Sequence, residues 1–294
     1  MLDQPAQVVL RSEELEVVVL PDVGARIHRL RAWGEDLLRT PPDPGTHAAD
    51  PWFWGAYVMA PWCNRITPGP TEVLGRVVDV PANFPDGSAI HGQVSHRPWE
   101  ITGAGGFRVE GGGEGTGWPW RYEVTASVAV AGATLSLRYA LRNLDDTAMP
   151  AGLGLHPWFR TPLDLRVPGR AVYPVNTDSP SQPVPAAGHL GLRSLGQPAA
   201  GLDATWVDLD EPVIDLAWPE RGLAARLDIS APSSDHLAVP VATPADAGAV
   251  AVEPQTHGPD GLRRLLNGES HGLAVLEPGQ ALGLSATMEI RPIG

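Results

Sequence analysis

Two side chains in this sequence, the carboxylate of Glu253 and the imidazole of His156, are of types that can donate or accept a proton and follow apolar segments. Glu253 follows the apolar run 247–252 and precedes Pro254. Proline cannot donate to a sheet ladder and pushes the residue before it into an extended conformation, so we expect Glu253 at the end of a strand. His156 follows an apolar run and precedes Pro157, which predicts a strand end there too. Solvated strand ends would give the same pattern, and only partners elsewhere in the chain can decide between these interpretations.

An arginine and a histidine also occur within segments that are otherwise apolar. Arg65 lies between Trp62 and Ile66, so we expect it to be half-buried. Its planar guanidinium suits a hydroxyl-rich or anionic ligand, although a structural pair with a carboxylate would use it equally well. His91 precedes Gly92, a residue that would let a ligand approach the backbone closely. A histidine whose hydrogen bonds are met within a loop is the alternative.

Aromatic rings accompany two of the polar candidates. Trp158 and Phe159 follow His156 closely, and Asp203 lies three residues before Trp206. Flat rings of this kind pack against the C–H face of a sugar, although they could equally fill the core.

Composition excludes several kinds of chemistry. The nine histidines form no His-x-His or His-x-x-x-His pair, and Cys63 is the one cysteine, which argues against a metal site and a disulfide framework. No Gly-x-Ser-x-Gly elbow is present. All 21 basic residues are arginine, which excludes a lysine Schiff base and a Walker-type phosphate loop, and the net charge of -13 disfavours nucleic acid. The remaining carboxylate, histidines, arginine and tryptophans suit proton transfer on a neutral polyhydroxylated ligand.

Strands must position these side chains, because the clearest periodicity in the chain is two. Alternation predicts a hairpin of strands 122–130 and 134–141 and a strand at 284–290, with shorter strands at 15–20 and 223–229. The glycine-rich stretch 103–117 is typical of a flexible hairpin connection. Many short strands without alternating helices predict an all-β sandwich or barrel.

Five motifs, in order and at their approximate spacing, resemble the aldose 1-epimerase, or galactose mutarotase, family. They are Asn64-Arg65-Ile66, Ile90-His91-Gly92, Leu155-His156-Pro157-Trp158-Phe159, Leu202-Asp203 and Val252-Glu253-Pro254. The resemblance runs over nearly the whole chain. It implies an all-β fold, one large antiparallel β-sandwich domain over residues 1–294, and an isomerase that interconverts the α and β anomers of a free aldose without a cofactor or a metal.

The resemblance also implies roles for individual residues. Glu253 would be the general base and His156 the general acid, so that the acid limb of the pH profile would come from Glu253 and the alkaline limb from His156. Trp158 stands where many members carry a tyrosine, so a hydrogen bond from that ring would be altered. The residues that would hold the sugar hydroxyls are Asn64, Arg65, His91 and Asp203.

Alternatives remain open at this stage. A protein of the same fold could bind carbohydrate without converting it, and Arg65 and Arg97 could mark a mutarotase for a phosphorylated sugar. His96 lies close to His91, and its role is open. His257 and Asp260 either tune Glu253 or stabilise a turn through side-chain hydrogen bonds. The second motif is followed by Gln93, where many members have a second glycine, and the physiological sugar is not readable from the sequence.

Cell location and assembly are predicted only broadly. Met1 is followed by Leu-Asp-Gln-Pro, which predicts no signal peptide, and no apolar run approaches the length of a membrane span. We expect a cytoplasmic protein that is a monomer or a homodimer and whose partner is a small sugar.

Overall fold

The chain folds into two large antiparallel β-sheets that pack face to face. The computed structural model describes residues 5–45, 51–231 and 237–293. Within these ranges one α-helix, α1 (Gly261–Asn267), and three short 3-10 turns (Pro21–Val23, Gly188–Leu190 and Pro219–Arg221) accompany the strands. None of the helices in this part of the chain has the length and hydrophobicity of a membrane span. The all-β sandwich predicted from the sequence is confirmed.

Strands, most of them short, form nearly all of the regular structure. The first twelve along the chain are β1 (Val8–Arg11), β2 (Leu15–Leu20), β3 (Arg26–Ala32), β4 (Glu35–Asp36), β5 (Ala56–Met59), β6 (Arg65–Ile66), β7 (Thr71–Val73), β8 (Arg76–Val78), β9 (Ala89–Ile90), β10 (Glu100–Gly103), β11 (Gly106–Gly111) and β12 (Tyr122–Ala131). The others are β13 (Thr134–Asn143), β14 (Met149–Ala151), β15 (Gly154–Arg160), β16 (Asp164–Arg166), β17 (Gly169–Tyr173), β18 (Val184–Pro185), β19 (Asp203–Leu209), β20 (Val213–Trp218), β21 (Leu223–Ser230), β22 (Val239–Ala242), β23 (Ala249–Val252), β24 (Ala274–Leu276) and β25 (Ala281–Pro292).

One sheet contains the strands that show the clearest alternation in the sequence. Its eight strands run in the order β10-β11-β12-β13-β25-β21-β20-β16. In β12 and β13, buried and more exposed residues alternate, because one face packs on the core and the other meets solvent. The predicted strands at 122–130, 134–141, 223–229 and 284–290 correspond to β12, β13, β21 and β25, each of which is longer by one to five residues.

The other sheet carries the proton-transfer candidates and shows little alternation. Its main path is β1-β2-β3-β5-β15-β23-β22-β19-β17-β18, and β4 pairs with β3 at its margin. Every residue of β5 and β23 is buried, as is nearly all of β15. Both faces of these central strands are therefore covered. Alternate residues join the core between the sheets, while their neighbours form a second apolar cluster on the opposite face, made of Tyr57, Met59, Cys63, Trp158, Ala249 and Ala251.

Two local expectations are wrong. Residues 106–111 of the glycine-rich stretch form strand β11, whose Phe107 and Val109 are buried. His156 does not end a strand, because β15 continues through Pro157. The proline is tolerated since the ladder between β15 and β23 is interrupted there: pairing occurs at Trp158 with Ala251 and again only at Gly154 with Gln255.

Candidate active site

The register of the central strands brings His156 and Glu253 to the same place on one sheet face. Trp158 pairs with Ala251, and two residues further along the same antiparallel register His156 lies opposite Glu253. On its other side, His156 pairs with Tyr57 of β5, and the two rings stack with their centroids 4.6 Å apart. Because residues directly opposite each other in antiparallel strands project to the same face, these three side chains form one row across β5, β15 and β23.

A second row lies two residues away on the same face. It runs from Trp158 through Ala251 and Ala242 to Asp203, the first residue of β19. The two alanines in the middle leave space above the sheet between the tryptophan ring and the carboxylate. Because side chains alternate between the two faces of a strand, Trp158, the two alanines and Asp203 all project to the same face, with Trp158 at one end of the open space and Asp203 at the other.

A pair of short strands supplies the other predicted residues. β6 and β9 pair through Arg65 and Ile90, which places Asn64 opposite His91. The His91 N–H donates to the Asn64 carbonyl at 3.0 Å, and the Asn64 N–H donates to Nδ1 of His91 at 3.2 Å. Both residues have positive φ values, 56° and 59°, a conformation that Asn and His adopt more readily than most residues. This reciprocal contact fixes the His91 ring above the sheet.

All seven residues predicted for the site line a single cavity of about 320 Å³. That volume is within the range of small-molecule sites. Its full lining is Trp52, Phe53, Tyr57, Asn64, Arg65, Phe84, Ile90, His91, His156, Trp158, Asn176, Gly201, Leu202, Asp203, Ala242, Pro244 and Glu253.

Glu253 and His156 are in direct contact at the buried end of this cavity. Oε1 of Glu253 lies 3.2 Å from Nε2 of His156, and both side chains are nearly inaccessible to solvent. Burial, reinforced by the charge of Asp203, raises the pKa of Glu253 well above its ordinary value of 4.5. Burial and the charge of Arg26 lower the pKa of His156 to about 3. Both shifts favour the neutral forms, that is, a protonated Glu253 and an unprotonated His156.

The hydrogen bond to Nδ1 of His91 decides what that ring offers to a ligand. Since Nδ1 accepts from the Asn64 N–H, the proton of the neutral ring is on Nε2. Burial is the main cause that lowers the pKa of His91, a positive charge on His156 would lower it further, and the ring is therefore neutral. His91 is therefore a fixed N–H donor.

The same hydrogen bond bears on metal binding. His91, His156 and Glu253 bring three potential ligand atoms within 4.8 Å of one another. A histidine that binds a metal donates its other ring N–H to an acceptor, whereas Nδ1 of His91 faces the N–H donor of Asn64. The three residues therefore fit hydrogen bonding and proton transfer better than a metal ion.

Arg65 is paired with a carboxylate and also lines the cavity. Its Nε donates to Asp86 at 2.8 Å, and its side chain is only 18% exposed and lines the cavity. Partial burial alone would raise the pKa of Asp86, but hydrogen bonds from Ser88 and Arg65 hold it at about 2. The guanidinium in the cavity wall is therefore paired with an ionised carboxylate, and its Nη1 also donates to Asn64 at 3.4 Å.

The indole N–H of Trp158 is already used within the protein. It donates to the Trp52 carbonyl at 2.6 Å, and the ring contacts Phe53 and His156. Trp158 therefore offers an apolar face to the cavity.

Some lining residues were not identified from the sequence. Asn176 donates to Asp203 at 2.7 Å and accepts from Thr205 at 2.6 Å, which orients the Asp203 carboxylate, but nothing in the local sequence distinguishes this asparagine. Trp52 and Phe53 lie in the aromatic run 52–54, a signal that could have been used.

Gly92, His96 and Arg97, candidates from the sequence near His91, do not line the cavity. The backbone that approaches Gly92 is that of Ala60, whose carbonyl oxygen would lie 1.9 Å from an added Cβ, so the glycine serves chain packing and not close ligand approach. His96 packs edge-on against Trp52, with centroids 4.7 Å apart, outside the residues that line the cavity. Arg97 is exposed and is likewise absent from that lining.

The hydrogen bonds of His257 with Cys63 and of Asp260 with Ser179 join segments that are distant in the sequence. His257 accepts from the Cys63 N–H at 3.0 Å and donates to the Gly258 carbonyl at 2.7 Å, which ties the segment before Asn64 to the segment after β23. Asp260 accepts from the backbone N–H and the hydroxyl of Ser179, each at 2.8 Å.

Comparison with protein-family profiles identifies one family. The sequence profile of the family described as Aldose 1-epimerase matches residues 6–208, more than half of the chain, and that range ends before Glu253. No curated protein sequence matches the chain.

Solved structures share the fold at low sequence identity. A protein of Escherichia coli K12 has a TM-score of 0.81 at 17% identity, covering 98% of this chain and 99% of its own. A galactose mutarotase-like protein from Clostridium acetobutylicum has a TM-score of 0.80 at 16% identity, with 97% and 95% covered. A galactose 1-epimerase from Lactobacillus acidophilus NCFM has a TM-score of 0.74 at 15% identity, with 98% and 95% covered.

Proposed function

Because the chain belongs to the aldose 1-epimerase family, we propose that its cavity interconverts the α and β anomers of a free aldose by acid–base ring opening and closing. The observation that carries the proposal is the contact of 3.2 Å between Glu253 and His156 at the buried end of a cavity lined by aromatic rings and hydrogen-bonding side chains.

The short distance between the two groups suits this reaction. The anomeric hydroxyl and the ring oxygen are bonded to the same carbon, so an acid and a base that act on both must lie within a few ångströms of each other. Glu253 takes the proton of the anomeric hydroxyl while His156 protonates the ring oxygen; C1 becomes an aldehyde as its bond to the ring oxygen breaks. Rotation about C1–C2 and the reverse proton transfers close the ring on the other face. No electrons are gained or lost, so protons alone balance the step.

One shared proton is sufficient for this cycle. The reactive arrangement, with Glu253 ionised and His156 protonated, contains as many protons as the neutral resting pair, so the pair reaches it without changing its net charge. Ring opening leaves Glu253 protonated and His156 neutral, and ring closure restores the ionised Glu253 and the protonated His156. A buried site disfavours a net charge. A Glu253–His156 pair that shares one proton has no net charge in either arrangement, so burial favours it over a pair that has gained or lost a proton.

The pH limits of activity follow from the same pair. Gain of a second proton removes the base, and this step is governed by the lowered pKa of His156. Loss of the shared proton removes the acid, and this step is governed by the raised pKa of Glu253. The acid limb therefore belongs to His156 and the alkaline limb to Glu253, which is the reverse of the order expected from the sequence.

The other lining residues can hold the sugar. His91 offers a fixed N–H donor, and the oriented carboxylate of Asp203 offers acceptors at the more exposed side. Asn64 and Arg65 add polar groups beside His91. The face of Trp158 is suited to the C–H side of the ring.

The charges of the cavity favour an uncharged sugar. Arg65 is the one residue of the described lining with a permanent positive charge, and it is paired with Asp86. Tight phosphate binding needs two or more positive groups that converge on one point.

Anomer exchange measured by NMR across a panel of neutral aldoses and their 6-phosphates tests the proposal, with each rate compared with the uncatalysed rate of the same sugar. Glu253→Gln protein purified in parallel controls for mutarotase carried over from the expression host. We expect acceleration of at least one neutral aldose. Binding without acceleration of any sugar would instead identify a carbohydrate-binding protein, and a preference for the phosphates would identify an anionic substrate.

A further inference from the structure

Gln255 holds the second oxygen of the Glu253 carboxylate. Its Nε2 donates to Oε2 of Glu253 at 2.8 Å, whereas the contact with His156 is made by Oε1. Gln255 is 0% exposed and therefore cannot contact a ligand in the cavity. The carboxylate is thus held by one hydrogen-bonding neighbour on each oxygen.

The position of the Gln255 side chain is set by rigid surroundings. Its backbone N–H donates to the Ala238 carbonyl and its carbonyl accepts from the Ala238 N–H, both at 2.8 Å. Gly154 makes room for it, since a Cβ at that position would lie 3.0 Å from Cγ of Gln255 and still closer to Cys63 and Met59. An amide fixed in this way has little freedom to follow a rotation of the Glu253 carboxylate.

We propose that Gln255 is a positioning residue for Glu253, which directs Oε1 toward His156 and the substrate and stabilises the ionised carboxylate. The inference rests on the proposed acid–base function of Glu253. A donor to Oε2 prevents the carboxylate from turning its other oxygen toward the cavity. It also favours the ionised form, because a hydrogen bond from an N–H to a carboxylate is stronger than one to a carboxylic acid.

The electrostatic surroundings of Glu253 make this donor necessary. Burial and the charge of Asp203 raise the pKa of Glu253, whereas the hydrogen bond from Gln255 and the charge of Arg65 lower it. Arg65 forms its ion pair with Asp86 and not with Glu253. Gln255 is therefore the group that donates a hydrogen bond directly to the Glu253 carboxylate. The titratable and charged groups around Glu253 are His156, His91, Cys63, Asp203 and Arg65.

Two substitutions test the inference. Gln255→Met keeps the length of the side chain and removes the donor, and Gln255→Glu keeps the shape and replaces the donor with a second carboxyl group. Gln93→Met is the matched control, because the amide of Gln93 bonds Thr116 and Tyr122 and does not line the cavity. The first measurement is kcat and KM across pH. The second is the pKa of the Glu253 carboxyl group, obtained from the ¹³C chemical shift of its carboxyl carbon across pH, with the signal assigned by its absence in Glu253→Gln.

We expect Gln255→Met to raise the Glu253 pKa by about one to two units and to lower kcat by about ten-fold or more, with a smaller change in KM. Gln255→Glu should raise the pKa further, because two adjacent carboxyl groups share a proton. Gln93→Met should leave both quantities at the wild-type values. A merely structural role would lower stability without moving the pKa.

The NMR readout separates this inference from the proposed function. If the wild-type protein accelerates no aldose, the proposed function fails, but the Glu253 pKa in the variants still tests the contact. An unchanged Glu253 pKa in a folded Gln255→Met or Gln255→Glu protein overturns the inference, even if activity falls.

Discussion

Glu253→Gln is the substitution that tests the site most directly. In the neutral resting pair, Oε2 of Glu253 accepts from Gln255 and its other oxygen faces His156. A glutamine can reproduce this arrangement: its oxygen accepts from Gln255 and its NH₂ group donates to Nε2 of His156. The fold and the cavity should therefore remain intact, while the side chain can no longer take a proton.

The loss of activity should be large and should fall on kcat. A positioned general base contributes roughly 10²–10⁴-fold, and the substituted amide still fills the space and offers hydrogen bonds to the sugar. We expect kcat to fall by roughly 10²-fold or more with a smaller change in KM, measured by NMR anomer exchange on the best substrate of the panel. Near-wild-type kcat in a protein with a native circular dichroism spectrum would show that Glu253 is not the base.

The same substitution should stabilise the protein at neutral pH. A carboxyl group whose pKa is raised on folding stabilises the folded state fully only below its unfolded pKa, and that contribution is lost as the pH rises through the folded value. A tenfold difference between the proton affinities of the folded and unfolded states corresponds to about 1.4 kcal/mol, and each kcal/mol moves Tm by roughly 2–4 °C in a chain approaching this size. Glutamine avoids this penalty because it has no proton to lose.

Calorimetry across pH measures this gain. The Tm of Glu253→Gln should exceed that of the wild type at neutral pH, and the difference should shrink toward about pH 4, where the carboxyl group becomes protonated in both states. The exposed Glu72→Gln provides the control, with little change in Tm. An equal or lower Tm for Glu253→Gln at neutral pH would contradict the burial penalty.

Three further predictions concern the same cavity. His156→Ala should lower kcat by roughly 10²-fold or more, and the double variant with Glu253→Gln should lose little beyond the worse single variant, since both groups serve one step. Arg65→Ala should raise KM more than it lowers kcat in steady-state assays. The control Arg138→Ala, at an exposed position, should change neither constant. A selective loss of kcat in Arg65→Ala would give Arg65 a role in the chemical step. The wild-type kcat/KM profile should be bell-shaped, with an acid limb that begins near the His156 pKa of about 3. In His156→Ala the acid limb should move to higher pH, because Glu253 must then lose its own proton to act as the base and burial raises its pKa. A wild-type acid limb near the ordinary pKa of histidine would refute the effect of burial.

The sequence by itself determined the architecture where one face of a strand meets solvent. Alternation identified β12, β13, β21 and β25 because each has a buried and a more exposed face. It was uninformative for β15 and β23, which are covered on both faces, and the glycines of β11 concealed its two buried residues. Chemical type and motif order also identified the seven candidate residues, which line one cavity.

Only the tertiary structure decided how those residues meet. The contact between His156 and Glu253 depends on the register of two strands separated by nearly a hundred positions, and no local pattern encodes a register between distant strands. Burial, which reverses the expected order of the two pKa values, likewise arises only when the sheet, the loops and the aromatic wall close around the pair. Asn176 and Gln255 acquire their roles in the same way, because a neutral amide carries no signal in a sequence until folding places a carboxylate against it.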